Sequence, residues 1–268
     1  TAPAHTVLAR GIRSFWTTGA GIVPEDASGN LRLGEHALRG AAVHSYDQSS
    51  SRIVTNADGN FFLTDLTDMT TATNLSELFL SLRRQLVTAS PLPTRATSSV
   101  PRRAPVPERV LDVVLHPVGA TKLLLATDGG IYEIDTRKVS LERLAPVERF
   151  TALAKGGTDA FVLDGSSTLT AVNLILRTNV TYAFPIADGV RSFVASGDGR
   201  AAAAVTAGGN LLLFDRTLET VTAVSNGVRE VQFAPDAPAL TFLTEANRLG
   251  AYYFDDAAGD ELYRAGTT

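Results

Sequence analysis

The chain has 268 residues, a formal net charge of −4 at pH 7, and hydrophobic residues at 44% of its positions. It contains no cysteine, which excludes disulfides, cysteine-ligated zinc and thiol chemistry. The moderate charge gives no sign of a dedicated nucleic-acid or membrane binder, and no apolar run reaches the roughly 18 to 20 residues of a membrane helix, so we expect no membrane span.

A short phrase recurs along the chain: a turn with Gly or Asn, several apolar residues, and then an acidic residue. Clear copies end at Asp65, Asp135, Asp215 and Asp255, and weaker copies end at Glu35 and Asn173. Asp135 and Asp215 are 80 residues apart, and Asp215 and Asp255 are 40 apart. A period of about 40 residues with four short strands per unit is typical of a β-propeller.

Each unit contains apolar segments with the period of two that indicates half-buried β-strands. In the last unit, residues 228–233 form the first predicted strand and residues 239–243 the second. A fourth strand closes a unit, as at residues 139–144 and 261–264. We therefore predict an all-β fold over residues 1–268: a single β-propeller of six or seven four-stranded blades, whose ring we expect to close on itself.

An insertion is predicted at residues 74–107, because 70 residues separate the first two clear copies of the phrase. Residues 75–87 have the apolar spacing of a helix, and Asn74 is placed to cap its N-terminus. The remainder, residues 90–107, is rich in proline, serine and arginine, which predicts a disordered loop.

The positive charge of the chain is concentrated in this insertion. Residues 83–109 contain six arginines and one glutamate, so they carry +5 and the remainder of the chain carries −9. We expect any contact of this Arg-rich loop with nucleic acid to be weak, salt-sensitive and directed at phosphates rather than bases.

Four of the units end in the manner of WD40 repeats, at Leu63-Thr64-Asp65, Ile134-Asp135, Phe214-Asp215 and Phe254-Asp255. Residues 194–200 match the turn that follows the first strand of such a repeat, although no Trp precedes any of these aspartates. Over roughly residues 30 to 264, the sequence resembles a divergent WD40-like β-propeller family. The resemblance implies a rigid platform for other macromolecules rather than a catalyst.

The residues give no catalytic, cofactor or metal site. The four histidines, at His5, His36, His44 and His116, are scattered over different units without ligand spacing. One aspartate per unit fits a turn in which the carboxylate accepts backbone N–H groups better than it fits paired catalytic carboxylates. Neither Gly-x-Ser-x-Gly nor Gly-x-Gly-x-x-Gly is present. We therefore expect a protein that is not an enzyme and needs no cofactor.

Two interpretations are open for the predicted helix: its apolar stripe packs on the propeller itself, which is favoured, or it binds another chain. The single tryptophan, Trp16, is likewise either a core residue or an anchor for a partner, with the core favoured. The candidate partner-binding residues are Leu78, Phe79, Leu82, Arg83, Arg84, Arg102, Arg103 and Trp16.

The expected function is that of a non-enzymatic scaffold subunit in a larger multiprotein assembly, with other protein subunits as partners and an intracellular location in cytoplasm or nucleus. The alternative is a secreted or periplasmic ligand- or sugar-binding propeller, or a propeller enzyme. Such enzymes place charged residues or histidine around the central channel. The predicted inner strands begin instead at Val110, Thr151, Val190 and Val228, which disfavours the enzyme.

Overall fold

A computed structural model describes residues 12–18, 21–28, 30–33, 36–38, 42–46, 51–89, 108–165, 167–186, 189–234 and 238–254. Across these residues the chain forms 23 β-strands and one α-helix. The all-β prediction with one substantial helix is therefore confirmed for the described part of the chain. The predicted strand at residues 261–264, the predicted loop at residues 90–107 and Asp255 lie outside it.

The strands form six antiparallel sheets in chain order. The first three sheets consist of β1 (Ile12–Thr18), β2 (Gly21–Asp26), β3 (Leu31–Leu33) and β4 (His36–Leu38); of β5 (Ala42–Tyr46), β6 (Arg52–Ala57), β7 (Asn60–Asp65) and β8 (Asp68–Asn74); and of β9 (Val110–Leu115), β10 (Lys122–Thr127), β11 (Gly130–Asp135) and β12 (Ser140–Pro146). Helix α1 (Leu75–Ala89) lies between β8 and β9 in the chain.

The last three sheets consist of β13 (Phe150–Gly156), β14 (Asp159–Asp164), β15 (Thr168–Asn173) and β16 (Thr178–Ala183); of β17 (Val190–Ala195), β18 (Ala201–Thr206), β19 (Leu211–Asp215) and β20 (Thr220–Ser225); and of β21 (Val228–Phe233), β22 (Ala239–Thr244) and β23 (Leu249–Tyr253). Within the described residues the sixth sheet has three strands and the others have four.

One irregularity recurs in all six sheets. The pairing of the first strand with the second shifts by one residue near the start of the first strand, as at Val190/Ser192 and Val228/Glu230. A bulge of this kind bends the strand and turns one side chain in a new direction. Its recurrence shows that the six sheets are copies of one structural unit, as the sequence period predicts.

Consecutive sheets pack face to face. Their first strands are neighbours: β5 lies beside β9, β9 beside β13, β13 beside β17, and β17 beside β21. A separate group of buried apolar side chains fills each gap between consecutive sheets. Between the fourth and fifth sheets, for example, Phe161 and Phe184 pack with Phe214. The strand of small residues β18 is buried along its whole length, because alanine allows sheets to approach it from both faces.

Helix α1 fills part of the gap between the second and third sheets. Asn74 caps it as predicted, since its Oδ1 accepts the N–H groups of Ser76 at 3.0 Å and Glu77 at 3.2 Å. Leu75 and Phe79 are buried in the core that these two sheets share. The helix therefore packs on its own chain, which is the first of the two interpretations above.

The turns between the third and fourth strands confirm the predicted role of the repeated acidic residue. At each described copy, the side-chain oxygen accepts backbone N–H groups two or three residues later. The acceptors are Asp65, Asp135, Asn173 and Asp215. The turn is thus fixed by its first residue, and the residues after it project from the end of the sheet.

The β11–β12 turn contains a strained residue that yields a stability prediction. Val139 is exposed and has a φ of 52°, a left-handed conformation that costs a β-branched residue energy. We expect Val139→Asn to raise the free energy of unfolding by about 1 kcal/mol, because asparagine tolerates this conformation. Urea unfolding would measure the change. Lys138→Asn, at the preceding exposed position, is the control and should give no gain; a loss of stability in Val139→Asn would contradict the prediction.

Candidate interaction surface and its supporting ion pairs

In each sheet, the turn between the first and second strands and the turn between the third and fourth strands are at the same end. These ends lie together on one side of the molecule, which we call the turn face. The β13–β14 turn meets the β17–β18 turn, where Gly157 N donates to Gly197 O at 2.8 Å. Likewise, Arg177 of the β15–β16 turn reaches Glu133 near the end of β11. Contacts between adjacent sheets therefore hold the turns in fixed relative positions.

Exposed apolar side chains are concentrated at the turn face. Among the described residues, nine large hydrophobic side chains are exposed. Seven of them lie at this face: Tyr46, Val118, Val139, Ile175, Leu176, Leu218 and Tyr253. The other two are Val180, in the middle of β16, and Leu249, at the opposite end of the sixth sheet. Because most of the exposed apolar side chains share this face, it is the candidate binding surface.

A buried carboxylate, Glu133 of β11, joins the third sheet to the fourth at this face. Arg177 donates to it from both terminal nitrogens, Nη1 to Oε2 at 3.0 Å and Nη2 to Oε1 at 2.9 Å. Lys122 Nζ donates to Oε1 at 2.8 Å. His116 Nε2 lies 3.0 Å from Oε2, but the contact does not have hydrogen-bond geometry. The fork of Arg177 thus fixes the position of one sheet against the next.

Burial and the neighbouring charges shift the pKa values of Glu133 and His116. Burial acts to raise the pKa of Glu133, but the hydrogen bonds from Arg177 and Lys122 outweigh it and leave the pKa below its ordinary value of 4.5. Burial lowers the pKa of His116 below 6.5 and outweighs the attraction of Glu133. His116 Nδ1 accepts the N–H of Val118 at 3.1 Å, so the neutral ring carries its proton on Nε2.

The lowered pKa of His116 predicts a pH dependence. The unfolded chain takes up a proton at this residue near pH 6.5, while the folded protein does so only at lower pH, so stability falls as the pH drops below about 6.5. In His116→Asn, the side-chain oxygen can still accept the N–H of Val118, but the residue does not titrate. The loss of stability that His116 causes below pH 6.5 should therefore be absent from this variant. Urea unfolding from pH 8 to pH 5 would compare the two proteins; equal slopes below pH 6.5 would contradict the prediction.

Arginines also span two other gaps between sheets, one by binding a buried carboxylate and one by binding a backbone carbonyl. Arg216, which follows β19, lies with Nη1 2.8 Å from Oδ2 of buried Asp159 at the start of β14, and Asn173 Nδ2 donates to Oδ1 of the same carboxylate at 3.2 Å. Arg52 of β6 donates to the carbonyl oxygen of Ala120 in the β9–β10 loop. An arginine therefore spans each of three consecutive gaps at the turn face.

A cleft of about 520 Å³ opens at the turn face between the second and third sheets. Its walls are Ser51, Arg52, Asp65 and Thr136 together with residues 115–122. Helix α1 occupies another part of the same gap and contacts both sheets. The cleft and the inserted helix therefore lie in the same gap between two neighbouring sheets.

The structure places the predicted helix residues in different environments. Phe79 and Leu82, two of the candidate partner-binding residues, are buried in the protein's own core, and Leu78 packs against it, in agreement with the favoured interpretation of the helix. Arg83 Nη2 lies 2.5 Å from Glu108 Oε1, so Arg83 forms an ion pair within its own chain. Arg84 is exposed, and its role in partner binding stays a prediction.

The remaining predicted residues are not brought to this helix. Trp16 is in β1, where its backbone pairs with Val23 of β2. Arg102 and Arg103 lie outside the described residues, so nucleic-acid contact through the Arg-rich loop stays a prediction. The apolar turn residues were not predicted from the sequence. The signal was the pair Ile175-Leu176 and then Leu218, each placed two or three residues after the repeated acidic position.

Histidines and carboxylates do not gather into a metal site within the described ranges. His44 Nε2 lies 2.6 Å from Asp112 Oδ1, at the contact between the second and third sheets. His116 lies with Glu133 as described above. In the part of the chain that the structure describes, no group of three or more His, Asp or Glu residues could hold a metal ion. Over the same residues, no helix has the length and apolar character needed to cross a membrane.

Comparison with known proteins identifies the fold. No protein-family model matches the chain, and no curated protein sequence matches it. The structure of Hsv2p from Kluyveromyces lactis resembles it with a TM-score of 0.58 and 10% identity, over 92% of this chain and 76% of that one. A second Kluyveromyces lactis Hsv2 structure has a TM-score of 0.55 and 11% identity, over 91% and 71%. Hsv2p is a β-propeller. The fold is that of a β-propeller. Identity this low carries no information on activity.

Proposed function

We propose that the six sheets are the blades of one WD40-like propeller that closes on itself. The repeated bulge and the side-by-side first strands support this arrangement. Closure makes the first and sixth sheets neighbours, and the cysteine-free chain allows a direct test with pairs of spin-labelled cysteines. Labels at Ser28 and Ala246 should give the same separation as labels at Asn210 and Ala246, which lie on adjacent sheets. A much longer first distance would show an open arrangement.

We propose that the protein is a non-enzymatic platform that binds other protein subunits inside the cell, with the turn face as its binding surface. The observation that carries this proposal is the concentration of exposed apolar side chains at one end of the sheets. Removing the apolar area of these side chains from water on binding would contribute a free energy of about 25 cal/mol per Å². The arginine bridges hold the turns in place, so the turns lose little conformational entropy when a partner binds.

Two leucines of equal exposure make the test. Leu218 is 67% exposed at the turn face, and Leu249 is 66% exposed at the opposite end. The wild-type chain and the variants Leu218→Asp and Leu249→Asp would each be isolated from native lysate, and the co-purifying proteins would be quantified. We expect a stoichiometric partner to be retained by Leu249→Asp and lost from Leu218→Asp. No stoichiometric partner, or equal loss from both variants, would reject the proposal.

One observation favours a second candidate function, the binding of a small polar ligand. The cleft of about 520 Å³ is of the size that ligand sites have, and it combines charged Arg52, Asp65 and Lys122 with apolar walls. Native mass spectrometry of the freshly purified chain would detect a bound small molecule. A ligand carried by the wild-type chain and lost from Lys122→Met, with Arg84→Met as the matched control, would support this function over the first.

A further inference from the structure

The outer edges of the sheets differ in how they are protected. An exposed edge strand offers unpaired N–H and C=O groups, and proteins usually guard such edges with charges or proline. Strand β12 has these guards, with Glu142, Arg143 and Pro146. Strand β16, Thr-Asn-Val-Thr-Tyr-Ala, has none of them. Strand β20 is also uncharged, but four of its six residues are half-buried, whereas five of the six residues of β16 are exposed.

The hydrogen-bond pattern shows which groups of β16 are available. Phe184 N donates to Ser167 O at 2.8 Å, one residue beyond the ladder in which Thr168 lies opposite Ala183. Because bonded pairs alternate along an antiparallel ladder, Thr178, Val180 and Tyr182 direct their backbone groups towards β15. The N–H and C=O groups of the residues between them point away from the sheet. These residues are Asn179, Thr181 and Ala183.

We propose that β16 is the contact between two copies of this chain, paired antiparallel about a two-fold axis at Thr181. In this register Thr181 lies opposite Thr181 of the second copy, and Asn179 lies opposite Ala183. Three pairs are formed, which together make about six backbone hydrogen bonds. An axis at Val180 would leave the outward groups of Ala183 unpaired, so the axis at Thr181 uses the edge more completely.

The side chains of β16 fit a second copy of the same strand. The strand carries no charge, so pairing it with itself brings no like charges together. Arg177, at its start, is held by Glu133 and would lie opposite Pro185 of the second copy. Val180, which is 46% exposed, would lie beside Tyr182 of the second copy and lose contact with water. A two-fold contact of this kind is closed and stops at two chains.

Introduced cysteines test the register, because the chain has no cysteine of its own. Thr181→Cys places two thiols directly opposite each other at a Cα separation of about 5.5 Å, which a disulfide can span. Mild oxidation should therefore link most of this variant into dimers on a non-reducing gel. In Asn179→Cys the two cysteines would be four residues out of line, or about 13 Å apart, and should stay unlinked. Equal linking of both variants, or none in Thr181→Cys, would overturn the proposal.

Sedimentation tests the interface without any cross-link. The wild-type chain should shift from one-chain to two-chain mass as its concentration rises. Thr181→Lys sets two ammonium groups against each other and should remain one-chain at every concentration, while Ser140→Lys on the guarded edge β12 should behave as the wild type. Circular dichroism would verify that each variant is folded. A wild-type chain that never dimerises, or a Thr181→Lys variant that still does, would overturn the proposal. The turn-face function has its own outcome in the Leu218→Asp comparison.

Discussion

Replacing Phe79 with alanine should lower the free energy of unfolding by about 3–5 kcal/mol, the range found when a fully buried phenylalanine is truncated. The ring is completely buried between the second and third sheets. It meets Tyr132 edge to face, with centroids 5.1 Å apart. The ring therefore contributes both buried apolar area and an aromatic contact of defined geometry. In the alanine variant, the second and third sheets and helix α1 would have to move together to fill the cavity left by the ring.

Urea unfolding followed by tryptophan fluorescence would measure this loss, since the chain has one tryptophan. Ser81→Ala is the matched control, because Ser81 is an exposed residue on the same helix and alanine favours helix. It should change stability by less than about 0.5 kcal/mol. A loss below roughly 1 kcal/mol in Phe79→Ala would show that the helix is not seated in the core in solution.

The fold could be predicted from the sequence because the repeated units share residue types at equivalent positions as well as a regular spacing. The acidic residue that ends each phrase both marks the period and makes the turn, so one residue type carried two signals. Asn173 kept the turn in the degenerate unit because its amide oxygen accepts the same backbone N–H groups. The helix was predictable for a similar reason, since Asn74 and the apolar stripe both specify it.

The candidate surface could not be predicted in the same way. Whether Leu218 is exposed depends on how the turn is oriented relative to the next sheet, and the local pattern does not contain that information. The same holds for Phe79, whose helical stripe fits either the chain's own core or a partner, because both are apolar. Glu133 is separated from Arg177 by 44 residues, so only the packing of two sheets reveals their pairing.

Replacing Glu133 with glutamine should cost about 2–4 kcal/mol of stability, somewhat less than the full cost of breaking a completely buried ion pair. Glutamine keeps the size of the side chain but removes the charge that Arg177 and Lys122 share. Both cations then lose their counter-charge at a site where Glu133 itself is only 5% exposed. The cost is reduced because the two cations retain some access to water, with side-chain exposures of 33% and 28%.

The pH dependence separates this charge effect from a packing effect. Because the pKa of Glu133 is lowered on folding, its contribution is complete above the ordinary pKa of 4.5 and is lost as the pH falls through the folded value. The difference between wild type and Glu133→Gln should therefore be largest near neutral pH and shrink in acid. Glu142→Gln is the control, since Glu142 lies 3.5 Å from the same arginine but is 56% exposed, and its removal should cost less than about 0.5 kcal/mol. If Glu133→Gln and Glu142→Gln unfold at the same urea concentration, the bridge between the third and fourth sheets does not stabilise the fold.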